Sequence, residues 1–243
     1  MNSVQKSESL LTMLKYDFHI HSALSPCGDE DMTPNNIVGM AYIAGLDVIA
    51  VSDHNTVGNV RAAMKVGKEL GIKVLAGMEV ETAEEVHVLT LFPDIESAEK
   101  VAQVVYENLP PIENKPEIFG RQLYMNEKDE IVGEEQKLLI SPTSLPIEKV
   151  FELVKEAGGL AVPAHIDRHS YSVLTNLGFI PEELEAAWVE MSNTVADPRD
   201  FVASRKDLEG FFVMQNSDAH YLKDIASKEN MLECDIADLF KGR

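Results

Sequence analysis

Six of the seven histidines in this chain stand at or beside the ends of short apolar runs, mixed with carboxylates. His19 and His21 close KYDFHIH, His54 follows LDVIAVSD, His87 lies in VHVLTLF, His165 ends LAVPAH, and His220 closes SDAH just beyond FFVMQN. Buried imidazoles and carboxylates cost free energy unless paired or coordinated, so packing alone would not gather them at strand ends. On an extended strand, residues i and i+2 share a face with Cα atoms about 6.5–7 Å apart. That spacing points His19 and His21 together and pairs Asp218 with His220. Glu79 in GMEV and Asp53 in SDHN add carboxylates at two more strands. Imidazole plus carboxylate suits Zn, Mn or Fe, whereas Ca takes oxygens only. The expectation is a metal centre built from several strand ends.

The same runs predict the fold class. Strands are expected at 15–21, 46–52, 73–80, 86–92, 160–165, 187–192 and 211–217, each rich in Val, Ile, Leu or Phe as a doubly covered strand is. Of these only AWVEMS, the sixth, ends without an evident ligand. Helices fill several gaps: Thr33 caps one with Pro34 at its first position, and Gly45, Gly71 and Gly158 close three. Strand–helix alternation implies a parallel sheet, and seven strands suggest a nearly closed α/β barrel. The stretch at 93–146 reads as an insertion over one barrel end, holding a helix at 97–108 and a hairpin near 124–132. Residues 1–14 read as an N-terminal extension and 15–243 as a single domain.

Composition narrows the function classes. Hydrophobic residues make up 45%, which is ordinary for a globular chain, but the net charge is −20. Such a surface repels nucleic-acid backbone and anionic lipid, so no long nucleic acid and no membrane partner are expected, while a small phosphorylated substrate is not excluded. Two distant cysteines, Cys27 and Cys234, form no disulfide framework, and the apolar run at 10–14 is too short for a signal-peptide core. The expectation is a cytoplasmic protein.

The motifs DFHIH, SDHN, GMEV, VHV, PAH and SDAH, in this order, resemble those of the PHP (polymerase and histidinol phosphatase) family of metal-dependent phosphoesterases. The resemblance runs from Tyr16 to about residue 230. It implies a distorted (β/α)7 barrel with two or three divalent ions (Mn, Fe or Zn) at the C-terminal strand ends. By position, His19, His21, Glu79 and Asp218 would hold one ion, and Glu79 would bridge to a second completed by His87 and His165. His54 and His220 would hold a third with a ligand from the loop after His21. Many members supply an aspartate where this chain has Pro26. Asp29 is the expected loop ligand, with Cys27, Glu30 and Asp31 as alternatives. Asp53 is expected to support a ligand rather than bind metal.

The resemblance implies hydrolysis of a phosphate ester by a hydroxide bridging two ions. Three ions against the carboxylates of Asp29, Glu79 and Asp218 would leave a local charge of about +3, reversing the protein's field where an anion binds. Arg168, three residues past His165, is placed to fork onto phosphate oxygens. His169 and Tyr171 are further candidates for substrate contact or leaving-group acid. Three alternatives stay open: a 5′-to-3′ exonuclease on short 5′-phosphorylated oligonucleotides, a non-catalytic metal-stabilised module, and an amidohydrolase-type reaction.

Overall fold

The computed structural model describes residues 13–233 and 235–241. The expected extension, up to residue 12, and Cys234 lie outside them. Strands form at all seven expected places: β1 (Leu14–Ile20), β2 (Val48–Val51), β3 (Lys73–Glu81), β4 (His87–Phe92), then β7 (Leu160–Pro163), β8 (Trp188–Ser192) and β9 (Phe212–Asn216). Leu14, assigned by the sequence to the extension, already belongs to β1. Between β4 and β7 lie the hairpin strands β5 (Leu123–Met125) and β6 (Ile131–Glu134). A short β10 (Met231–Leu232) adds antiparallel to the free edge of β1.

Six strands form one curled sheet in the order β10-β1-β2-β3-β4-β7, and β8 pairs with β9 in a separate parallel ladder. Backbone hydrogen bonds link the two sheets: Ile166 N–H to the Glu190 carbonyl at 2.9 Å on one side, and on the other His21 N–H to the Ala219 carbonyl at 2.9 Å and Ala219 N–H to the His19 carbonyl at 3.2 Å. The expected parallel order fails at one place. β4 runs antiparallel to both β3 and β7. The reason is length: only residues 82–86 separate β3 from β4, and a parallel crossover needs a dozen or more. His87, the first residue of β4, therefore comes to the same end of the sheet as the last residues of β3.

The helices form where their caps are written. α1 (Pro34–Ile43) starts at Thr33, whose hydroxyl accepts the Asn36 N–H, and α2 (Val60–Leu70) stops at Gly71, which takes φ 76°. α3 (Ile95–Glu107) is capped by Asp94, and α5 (Ile147–Glu156) follows Pro146. The rest are short: α4 (Pro116–Phe119), α6 (Val173–Asn176), α7 (Pro198–Ala203) and α8 (Ile236–Leu239).

Strand alternation divides the core in two. Tyr16, Phe18, Val48, Ala50, Leu75, Leu89, Leu91, Val162, Ala164 and Met214 fill the interior of the curl. Ile49, Val51, Ala76, Met78, Val88, Val189 and Met191 face outward to the helices. Fully burying a side chain such as Phe18 or Leu89 stabilises by about 1.5–3 kcal/mol. The interior is apolar along most of its depth and turns polar at one end. The 93–146 segment reaches that end: Asn59 accepts the Met125 N–H at 2.8 Å and donates to the Leu123 carbonyl at 3.0 Å, while Leu123 N–H meets the Ala23 carbonyl.

Candidate metal centre

Glu79 lies at the centre of the polar end. It shares the interior face of β3 with Leu75 and Gly77, and only 1% of it is exposed. Five imidazoles converge on its carboxylate. His87 Nδ1, His165 Nε2 and His19 Nε2 approach Oε1 at 2.8, 3.1 and 3.3 Å. His54 Nδ1 and His21 Nε2 approach Oε2 at 3.2 and 3.4 Å. Asp218 completes the cluster, with Oδ1 3.0 Å from His21 Nε2.

A shift in strand pairing explains which residues of DFHIH reach this centre. The β1–β2 register slips between Asp17 and Ile20. Asp17 is paired with Ile49 and Ile20 with Val51, both outward residues, so the intervening pair Phe18–His19 faces inward together, followed by His21. A bulge re-aims side chains in this way. Asp17 therefore does not share the face of His19. Its carboxylate accepts the backbone N–H groups of Ser217 and Ala226 at 3.0 and 3.3 Å and fastens β1 to the chain beyond β9.

The hydrogen bonds also fix imidazole tautomers. His19 donates Nδ1–H to the Glu190 carboxylate at 2.9 Å, leaving the Nε2 lone pair facing Glu79 and Asp218. Ser25 gives its hydroxyl hydrogen to Asp53 at 2.7 Å, so toward His21 Nδ1, 3.0 Å away, it can only accept. His220 donates Nδ1–H to the Asp218 carbonyl at 2.8 Å. In all three rings Nε2 is left as the ligand atom, the arrangement by which supporting groups orient metal-binding histidines. Asp53 also accepts the Ser22 N–H and hydroxyl at 2.7 and 2.6 Å, so it anchors the loop and touches no other charged group of the cluster.

The charges are tuned by this crowding. Burial pushes the Glu79 carboxyl up, but His87, His19 and His54 around it hold it well below the usual carboxylate range. Burial also opposes charge on His87, yet Glu79 raises it to about 9. Burial, then the neighbouring His21, brings His220 down to about 4. Backbone strain collects here as well: His165 and Asp218 hold φ of 30° and 50°, in the left-handed region that side chains disfavour.

The residues fit a cluster of divalent cations. Five ring nitrogens around two carboxylate oxygens exceed what hydrogen bonding from one carboxylate can satisfy. His19 Nε2 and His54 Nδ1 are buried and have no hydrogen-bond partner. Donor atoms fall within 4.8 Å of one another in three groups: His19, His21, Glu79 and Asp218; His54, Glu79 and His87; and His21, Cys27, His54 and His220. His165 joins through Glu79.

Two expectations are corrected and one residue was missed. Asp29 is not brought to the cluster: its N–H is held by the His220 carbonyl, and its carboxylate accepts the Asp31 N–H at 2.9 Å. Glu30 points to Arg121, 3.7 Å away. The loop residue that does arrive is Cys27. The missed residue is Glu190 of β8, the strand expected to lack a ligand. Its carboxylate holds His19 and also accepts the Asn216 side-chain amide at 2.7 Å and the His165 N–H at 3.1 Å. The sign was in AWVEMS itself, a carboxylate on the face opposite Val189 and Met191. At the rim, Arg168 contacts Asp218 Oδ2 at 2.6 Å, and the exposed Tyr171 stacks on His87 with ring centroids 4.7 Å apart.

A curled α/β sheet with a histidine–carboxylate cluster at one end defines the class: a fold whose cluster could hold divalent metal. The PHP domain family model matches residues 17–169, more than half of the chain, and the chain belongs to that family. A 5′-3′ exoribonuclease of Haemophilus influenzae is 36% identical over 80 residues, 32% of this chain and 28% of that protein. A phosphoribosyl 1,2-cyclic phosphate 1,2-diphosphodiesterase of Eggerthella lenta is 32% identical over 80 residues, 31% of this chain and 29% of its own length. The chain thus spans less than a third of either relative. Among solved structures, the lesion-specific endonuclease EndoQ of Pyrococcus furiosus superposes with a TM-score of 0.66 at 19% identity, covering 88% of this chain and 50% of that one. Endonuclease Q has also been captured with a 27-mer duplex carrying an abasic lesion at its active site. That neighbour thus holds long nucleic acid on a fold similar to this one. Among the described residues, no helix is long and apolar enough to cross a membrane.

Proposed function

We propose that the chain is a metal-dependent phosphoesterase that hydrolyses a small phosphorylated substrate, a nucleotide or phosphometabolite. The observation that carries this is the convergence of five imidazoles and Asp218 on Glu79. His19, His21, Glu79 and Asp218 would hold one ion, and Glu79, His87 and His165 would hold a second, with His54 and His220 on the outer side. Two bound divalent ions would supply an activated water and offset negative charge on the phosphate oxygens.

The chain's own groups do the rest. Glu190 and the Asp53–Ser25 pair hold His19 and His21 in the tautomer that presents Nε2. Arg168 is 42% exposed on its side chain and reaches the centre at Asp218, so its guanidinium meets an incoming phosphate at the mouth and fixes it bidentately. The hairpin segment at 93–146 and the loop at 166–186 bound the substrate's non-phosphate part. We read residues 15–243 as one distorted seven-strand barrel domain with 93–146 inserted into it.

A second reading, a 5′-to-3′ exonuclease on short 5′-phosphorylated oligonucleotides, is supported by the likeness to the exoribonuclease. One experiment separates them: product analysis after incubating the Mn²⁺-loaded protein with a 5′-phosphorylated trinucleotide and with mononucleotides. Inorganic phosphate alone is the expected product. Stepwise nucleoside 5′-monophosphates would establish the exonuclease instead, and no metal-dependent hydrolysis of any phosphate ester would remove both readings.

A further inference from the structure

We infer that Cys27 is a thiolate ligand of the outermost cation, completing a site with His54 and His220. The inference rests on the metal-centre reading above and goes beyond it in naming the ligand and the metals it selects. The Cys27 sulfur lies within 4.8 Å of ring nitrogens of His21, His54 and His220, which are themselves as close to one another. The three rings form a continuous stack, His21 lying 4.6 Å from His54 and 4.3 Å from His220 between centroids. His54 is only 6% exposed and turns Nδ1 to Glu79, which leaves Nε2 for the outer position, and His220 donates Nδ1–H to the Asp218 carbonyl, which leaves its Nε2 as the donor atom.

The loop is built to hold the sulfur in place. Ser25 N–H donates to the Ser22 carbonyl at 3.1 Å, Gly28 N–H to the Ser25 carbonyl at 2.8 Å, and Asp29 N–H to the His220 carbonyl at 2.9 Å. Residue 28 must be glycine, since a Cβ there would meet the Ser22 carbonyl oxygen at 2.6 Å. On the other side, the backbone of Gly120 presses so closely on Pro26 that a Cβ would lie 2.1 Å from its carbonyl oxygen. Both neighbours of Cys27 are thereby clamped, one by the β1 loop and the other by the insertion. The competing carboxylates are engaged elsewhere, Asp29 with the Asp31 N–H and Glu30 with Arg121.

Two imidazoles and a thiolate, with the fourth position open, make a donor set that favours Zn²⁺, Fe²⁺ or Co²⁺ over Mn²⁺ and Mg²⁺. Coordination forms the metal–sulfur bond and breaks the S–H bond, releasing the proton to solvent. Spectroscopic titration of the full chain with Co²⁺ tests this. The expected result is a near-ultraviolet sulfur-to-cobalt charge-transfer band in the unmodified chain. It is lost in Cys27→Ser and kept in Cys234→Ser, while circular dichroism shows each variant folded. Cys27→Asp restores the bound cobalt, counted by mass spectrometry, without the band. Cobalt bound with no band in the unmodified chain, or a band that survives Cys27→Ser, overturns the inference and leaves the inner centre standing. No cobalt uptake at all overturns both.

Discussion

Glu190 and His19 are 171 residues apart in sequence and meet at 2.9 Å inside the curl, where the carboxylate of one sheet receives Nδ1–H from the first histidine of the other. A buried carboxylate would not be stable there without that partner, and His19 would not hold one tautomer without Glu190.

Replacing Glu190 with Gln keeps an acceptor but removes the charge that orients His19. Affinity for the ion at His19, His21, Glu79 and Asp218 is expected to fall by about 10–100-fold. Isothermal titration with Mn²⁺ or Zn²⁺ measures it, and an unchanged affinity would make the contact merely structural.

Arg168→Ala tests the phosphate clamp. Hydrogen bonds to a charged group contribute about 1.5–3 kcal/mol, so KM should rise by about 10–100-fold with kcat little changed. Unaltered kinetics would reduce Arg168 to a surface partner of Asp218.

His19→Ala and Asp218→Asn each remove a donor from the same group. Both are expected to abolish metal-dependent turnover, and far-ultraviolet circular dichroism should show the sheet retained. Full turnover in either variant would displace the centre from the chemistry.

Gly28→Ala forces a Cβ against a backbone oxygen that cannot swing aside. Such overpacking costs about 1–3 kcal/mol. A fall in Tm of roughly 2–4 °C per kcal/mol follows for a chain of this size. Unchanged Tm would show the loop to be free rather than clamped.

Much of this molecule could be read from its residues, and the exceptions have definite causes. The strands and the helices begun at Pro34, ended at Leu70 and begun at Ile147 follow from apolar runs and caps that act locally. The histidines and Glu79 come together because each strand delivers its own. What escaped depends on distant pairing. The bulge that turns Asp17 away from His19 is set by the register against β2 and leaves no mark in DFHIH. The reversal of β4 was legible in the five residues at 82–86, too few for a crossover. That Cys27 rather than Asp29 comes near the rings goes with a backbone bond from Asp29 to His220, nearly two hundred positions away.

The separation of the β-structure into six strands and two has a consequence for how the molecule opens. His19, His21, His54, Glu79 and His87 belong to the larger sheet or the loops it carries, whereas Asp218 and His220 lie past the end of the smaller one. A cation shared between them is a clasp across the seam. Chelation should therefore speed amide exchange first along β8 and β9, before the six-stranded sheet loosens, so that the centre governs the order in which the chain comes apart as well as what happens at its mouth.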